Sequence, residues 1–260
     1  MIDQGALLQL AVTFGFVLMR VLAVLAAFPL WSGRLPLPWK IAAALWLSVV
    51  AAFALPARSL PETWSAAGLV LGAAGEVLTG ATLGLVGRLF LGGITLAGEI
   101  TGLQMGFGVA TVFDPSSGES HSVIAQCFNI FAMFVLLEMD SHLLAVRVLM
   151  ESFERIPPFA FPANGPVFLQ MVREGGGQVF RVAVELAWPL SLCLLLVYLS
   201  MGLLARVAPQ INLMMVGFPL TIAVGVFVLW LSVPSLTASM ERVCGEMWVG
   251  VETWLTAMGR

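Results

Sequence analysis

Read for apolar and polar positions, the chain is a succession of long apolar stretches separated by short breaks. A membrane-spanning helix needs roughly 20 predominantly apolar residues. Six stretches reach or approach that length: Ala6–Leu30, Ile41–Leu55, Ala66–Ala97, Val123–Met139, Val182–Leu204 and Leu213–Val233. The breaks carry turn chemistry, with Pro36 and Pro38 after the first stretch, Pro56 and Pro61 after the second, and Pro157, Pro158, Pro162 and Pro166 between the fourth and fifth. No strand-like alternation runs for any length. The pattern predicts an all-α, polytopic membrane protein of about six apolar helical segments, kinked and broken by Gly and Pro, forming helical hairpins. The first stretch is too long for a cleavable leader and Asp3 stands where a positive flank is expected, so it is predicted to remain as the first helix.

Two further helical signals follow. Arg147, Glu151 and Arg155 make opposite-charge pairs at i, i+4, which extends the fourth stretch into a single predicted helix from Ser122 to Arg155. Near the C-terminus, Met240, Val243, Met247, Val251, Trp254 and Met258 fall along one face, with Glu241, Arg242, Glu246 and Glu252 largely off it. This reads as an amphipathic helix that packs on a partner or lies at an interface.

Composition narrows the class. Only 10% of residues are charged and 60% are hydrophobic, with a mean hydropathy of +0.99. A soluble domain has about 25% charged residues, so part of this surface must meet lipid or other apolar subunits. The net charge of −3 and the scattered basic residues point away from nucleic acid. Cys127, Cys193 and Cys244 stand far apart, which argues against a disulfide framework or zinc site and for buried thiols.

Glycine is concentrated. Twelve of the 26 glycines fall between Gly68 and Gly108, many at helical spacing: Gly68, Gly72 and Gly75; Gly80, Gly84 and Gly87; Gly98, Gly102 and Gly106. Small residues at i and i+4 let helix backbones approach closely. The spacing is read first as packing inside one bundle, with a subunit contact or a mobile helix as the sharper alternative. Ionisable residues inside apolar stretches are Arg20, Glu76, Arg88, Glu99 and Glu185. Intramembrane charge is expensive, and the expectation is pairing with a neighbouring helix or subunit, with a proton or ion relay as the minority reading. Glu76 and Arg88 lie 12 residues apart and cannot pair within one straight helix.

No HExxH, GxSxG or phosphate-binding glycine loop is present, and His121 and His142 share no metal-ligand spacing. Asp140, Ser141 and His142 contain the residue types of a catalytic triad, but consecutive helical residues point in different directions. No enzyme, cofactor or metal is therefore expected. One block stands out: Gly98, Glu99, Gly102, Gln104, Met105, Gly106, Phe107 and Gly108, running through Val109, Val112 and Phe113 into Asp114, Pro115 and a polar loop to Glu119. Asp-Pro followed by Ser and Gly is a turn signal. Bulky apolar residues at such a tip are core, or they form a hydrophobic constriction that gates a passage by dewetting.

At these residues the chain resembles the FliR family of flagellar biosynthetic proteins, with related type III secretion export-gate proteins close behind. The resemblance rests on Pro36-x-Pro38-x-Lys40, on the block from Gly98 and Glu99 to Asp114 and Pro115, on Ser141 and His142, and most specifically on Arg206, Pro209, Gln210 and Asn212 followed by Gly217, Phe218, Pro219 and Leu220. It covers nearly the whole chain. It implies a non-enzymatic subunit, present once in an export gate at the base of the flagellar basal body in the bacterial inner membrane. The subunit would be coiled with FliP-like and FliQ-like subunits, bordered by lipid and by FlhB- and FlhA-like export proteins, and would pass unfolded substrates. Residues 1–180 would correspond to a FliP-like part and 181–260 to a FliQ-like part. In the family the loop after the Gln-Met-Gly motif plugs the closed channel, which maps onto Phe107 through His121. The chain departs from the family at Val109 and Val112, where phenylalanine is common, at Ser141 where glycine is common, and at Thr221 where lysine is frequent. A virulence-type export-gate subunit, and a stand-alone transporter using Glu76, Arg88 or Glu185 as coupling charges, are the competing readings.

Overall fold

The computed structural model describes residues 4–29, 36–54, 65–108, 122–158, 165–210 and 213–258. Among them are seven α-helices: α1 (Gln4–Ala27), α2 (Leu37–Ala54), α3 (Ala66–Met105), α4 (Val123–Glu138), α5 (Ser141–Arg155), α6 (Gly165–Val207) and α7 (Leu213–Met258). The all-α expectation holds, while the count of six does not translate directly. Four of these helices are long and apolar enough to cross a membrane, or five if α4 and α5 together make one span.

The predicted single helix over Ser122–Arg155 is two helices. The chain breaks at Met139 and Asp140, where Asp140 takes a left-handed conformation with φ 51°. Asp tolerates that region as few non-glycine residues do, and the i, i+4 charge pairs lie wholly inside α5, so they carried no information about the break. The last two apolar stretches also underestimate their helices. α6 begins at Gly165, with Pro166 in its first turn, where a missing N–H costs nothing. α7 runs unbroken through Pro219 and Pro234 into the amphipathic tail. Hydropathy marks apolar sequence and misses polar residues that continue a helix.

The chain divides into two compact units. The first comprises residues 1–89, 140–175 and 246–260. Its core is built by Val17, Val21, Val24 and Leu25 of α1, Ala44 and Ala51 of α2, and Leu149 and Phe153 of α5. Glycines bring α3 onto α1. A Cβ at Gly80 would lie 2.5 Å from the Arg20 carbonyl oxygen, and one at Gly84 would lie 2.3 Å from the Ala27 Cβ. The buried stripe at the end of α7 runs through Trp248, Val251 and Leu255. It is turned by about one residue from the predicted Met247 and Trp254, because Trp248 stacks on Phe28 at 6.1 Å and its indole N–H donates to Ser141 Oγ at 3.3 Å.

The second unit comprises residues 90–139 and 176–245. Here α3 meets α4, with an added Cβ at Gly98 falling 2.5 Å from Ala125 Cα, and meets α6, with one at Gly93 falling 2.9 Å from Val182 Cβ. At Gly80, Gly84, Gly93, Gly98 and Gly102 the glycines pack against helices or a helix cap of this chain, whereas Gly92 meets nothing within 4 Å.

Candidate functional site

The ionisable residues set within the apolar stretches all have partners. Arg20 is fully buried, and its five N–H groups face five acceptors. Nε and Nη2 donate to Glu76 Oε2 and Oε1 at 2.6 and 3.1 Å, Nη1 to Ser152 O and Oγ at 2.9 and 3.3 Å, and Nη2 also to Ile156 O at 3.0 Å. The guanidinium lies 4.3 Å from the Phe153 ring centroid. A buried ion pair is tolerable only when its remaining hydrogen-bonding capacity is met, and here it is. Arg88 donates to the Ala27 and Ala26 carbonyls at 2.8 and 3.0 Å, satisfying the C-terminal end of α1 as a basic side chain does there. Glu185 pairs with Arg242. Glu99 accepts from the Ser122 backbone N–H at 3.0 Å. Pairing across helices is what the sequence led us to expect.

The glycine-rich block resolves into a defined helix end. An α-helix leaves its last four carbonyls without intrahelical donors, and all four are accounted for at the end of α3. The Phe107 N–H donates to Gly102 O at 2.9 Å and the Gly106 N–H to Leu103 O at 3.1 Å. With Gly106 at φ 95°, this is a Schellman motif, which explains glycine at that position. The two remaining carbonyls are met by side chains of other helices. The Tyr198 hydroxyl of α6 donates to Gln104 O. The Thr221 hydroxyl of α7, 2% exposed, lies 3.1 Å from Met105 O, sharing its proton with Phe218 O at 3.1 Å.

Side-chain packing reinforces the same point. Met105 is fully buried. It fills the space beside Gly225, where a Cβ would lie 2.6 Å from its Cε, and the Phe218 ring lies where a Cβ on Gly106 would meet it at 2.7 Å. Within the motif around residue 210, Pro209 and Gln210 form the turn after α6, and a Cβ at Gly217 would meet Met201 Cε at 2.4 Å. Pro219 lies inside α7.

Across the following segment the chain returns to the same place. Ser122 caps α4, its Oγ accepting from the Ala125 N–H at 3.2 Å, and a Cβ at Gly102 would lie 2.6 Å from that Oγ. Gly102 and the Glu99 carboxylate of α3 thus hold Ser122 at the start of α4. Val109, Val112, Phe113, Asp114, Pro115 and His121 fall outside the described residues, as does Asn212. Among the described residues no three His, Cys, Asp or Glu side chains gather as a metal would require.

The sequence reading missed Tyr198, Gly225 and Ser122 as parts of this site, and noted Thr221 only as a departure from the family pattern. Tyr198 carried a usable signal. It is the one tyrosine of the chain, set in an apolar helix where a phenol hydroxyl needs a partner.

The family described as bacterial export proteins, family 1, matches residues 11–247. The flagellar biosynthetic protein FliR of Escherichia coli K12 is 33% identical over 231 residues, 88% of this chain and 87% of that protein. FliR of Bacillus subtilis 168 is 30% identical over 87% of this chain and 88% of its own length. FliR of Pectobacterium carotovorum is 40% identical over 66% of each chain. The family match runs from within α1 into the last part of α7, through both units and through the helix end described above. The chain belongs to family 1 of the bacterial export proteins, the FliR family of flagellar export components.

Proposed function

We propose that this chain is a structural and conductive subunit of the flagellar protein export gate, without catalytic chemistry of its own. It co-assembles with FliP-like and FliQ-like subunits in the inner membrane, beside FlhB- and FlhA-like proteins, and passes unfolded substrates. Residues 107–121 act as the loop that closes the resting channel. Residues 1–180 are the FliP-like part and 181–260 the FliQ-like part.

One observation carries the reading. A long glycine-rich helix ends in a motif whose every carbonyl is held, and Ser122, on the far side of the apolar segment, is bonded back to Glu99 of the same helix. A loop rooted so firmly can be displaced by a passing chain and return to one position, which a plug requires. The engagement of Glu76, Arg88 and Glu185 within the chain counts against their use as coupling charges of a stand-alone transporter. The flagellar relatives favour a flagellar over a virulence-type system.

Affinity purification of the tagged chain from membranes is expected to bring down FliP-like and FliQ-like proteins. A photo-crosslinking residue at Phe107 or Phe113 is expected to capture a stalled export substrate. Capture at exposed positions such as Phe134 but at neither of these two, in an actively exporting apparatus, would refute the loop assignment.

A further inference from the structure

We infer that Tyr198 and Thr221 are positioning residues that latch the root of the closing loop, acting through the Gln104 and Met105 carbonyls. This rests on the reading of residues 107–121 as that loop. The Schellman motif satisfies only Gly102 O and Leu103 O from within the chain segment itself. The last two carbonyls of α3 point beyond their own helix and take a hydroxyl each, one from α6 and one from α7. Thr221 is buried, so a Met105 carbonyl released from it is left without a ready donor and carries the cost of an unsatisfied buried acceptor. Phe218 and Gly225 shape the same socket around Gly106 and Met105. The three helices are thereby joined at one point, immediately before the loop leaves α3.

The latch is directional in its consequences. It contributes nothing to the loop's own apolar seal. It fixes where the loop begins, so losing it raises the fraction of time the root is displaced, without removing any residue of the loop. A net hydrogen bond of ordinary strength corresponds to roughly a fivefold change in such an equilibrium.

The test uses the complete export complex in cells. Thr221→Val and Tyr198→Phe each delete one hydroxyl while keeping shape, Thr221→Ser keeps the hydroxyl, and a control shortens the loop by replacing residues 110–120 with a brief Gly-Ser linker. Resting ion leak is measured alongside recovery of the FliP-like and FliQ-like partners. The expected result is normal assembly throughout, a leak raised about fivefold in Thr221→Val and in Tyr198→Phe, a tight Thr221→Ser, and a strong leak in the shortened loop. Tight Thr221→Val and Tyr198→Phe complexes beside a leaking shortened loop would overturn the latch and leave the closing loop standing. A shortened loop that stays tight would remove both. If Thr221→Val does not assemble, Tyr198→Phe decides alone, because Tyr198 is 45% exposed and the change removes a single oxygen.

Discussion

Replacing Arg20 with methionine is expected to be among the most damaging single changes in the first compact unit. The guanidinium is fully buried and meets five acceptors on α3, α5 and the residue after α5. Its removal takes the bidentate partner from Glu76, itself 1% exposed, and uncovers the Ser152 and Ile156 carbonyls at the end of α5. Breaking a buried pair from one side costs about 3–5 kcal/mol, because the other charge stays buried without its counter-ion. At about 2–4 °C per kcal/mol for a chain of this size, the melting temperature should fall by roughly 6–20 °C. Replacing both members with apolar residues should recover most of that loss, since a buried ion pair is often no better than a well-packed apolar substitute. Thermal unfolding of the purified complex in detergent, followed by tryptophan fluorescence, measures parent, Arg20→Met, Glu76→Met and the double variant side by side. A single Arg20→Met variant melting within about 2 °C of the parent, or a double variant melting no higher than the singles, would refute the reasoning.

The glycines make a paired prediction. Gly84→Ala and Gly98→Ala drive a Cβ to 2.3 Å from Ala27 Cβ and 2.5 Å from Ala125 Cα, and should destabilise by about 1–3 kcal/mol. Gly176→Ala and Gly177→Ala meet nothing within 4 Å and should instead stabilise α6 by about 1 kcal/mol each. The same melting assay ranks the four variants, and a reversed order would contradict the packing described. Replacing Phe107 and Phe113 together with glycine should make resting cells leak small ions, read by a potential-sensitive dye. An unchanged leak would exclude these two rings from the seal.

What the sequence could and could not reveal follows from which physics is local. Gly80, Gly84 and Gly98 were readable as close-approach positions, because small residues at helical spacing are a one-dimensional pattern. Their partners, the Arg20 carbonyl, Ala27 and Ala125, were not, because those contacts depend on how α1 and α4 come to lie against α3. The turn at Gly106 was legible as a helix end but not as a Schellman motif, which is defined by backbone hydrogen bonds. The break at Asp140 coincides with the end of the fourth apolar stretch at Met139, but the i, i+4 charge pairs beyond it read as a continuing helix, whereas the break itself lies in one residue's φ. The C-terminal stripe was found, with Met240, Val243 and Val251 buried as expected, but Trp248 and Leu255 take the inward places expected of Met247 and Trp254. In α7, Met247 and Trp248 are both apolar, and only the presence of Phe28 and Ser141 selects Trp248 as the inward residue.

The number of apolar helices and the number of membrane crossings are different quantities here, for a reason the helices themselves supply. α3, α6 and α7 have 40, 43 and 46 residues, so each runs about 60–70 Å along its axis, twice the roughly 30 Å of a hydrocarbon core. A helix of that length either leaves the bilayer or bends within it. Coverage by the chain itself also differs sharply among them. In the apolar part of α3, 44% of residues are buried within the chain, whereas in α7 the share is 17%, although α7 is the more hydrophobic of the two. The glycines explain the first figure, since they let α3 pack against α1 and α4 at backbone distance. The second leaves Phe227, Trp230 and Leu231 exposed along α7, a surface that water would not support. Lipid or neighbouring subunits must cover it. One chain thus combines a helix specialised for packing on itself with a helix specialised for packing on something else, as a subunit of a larger membrane assembly requires.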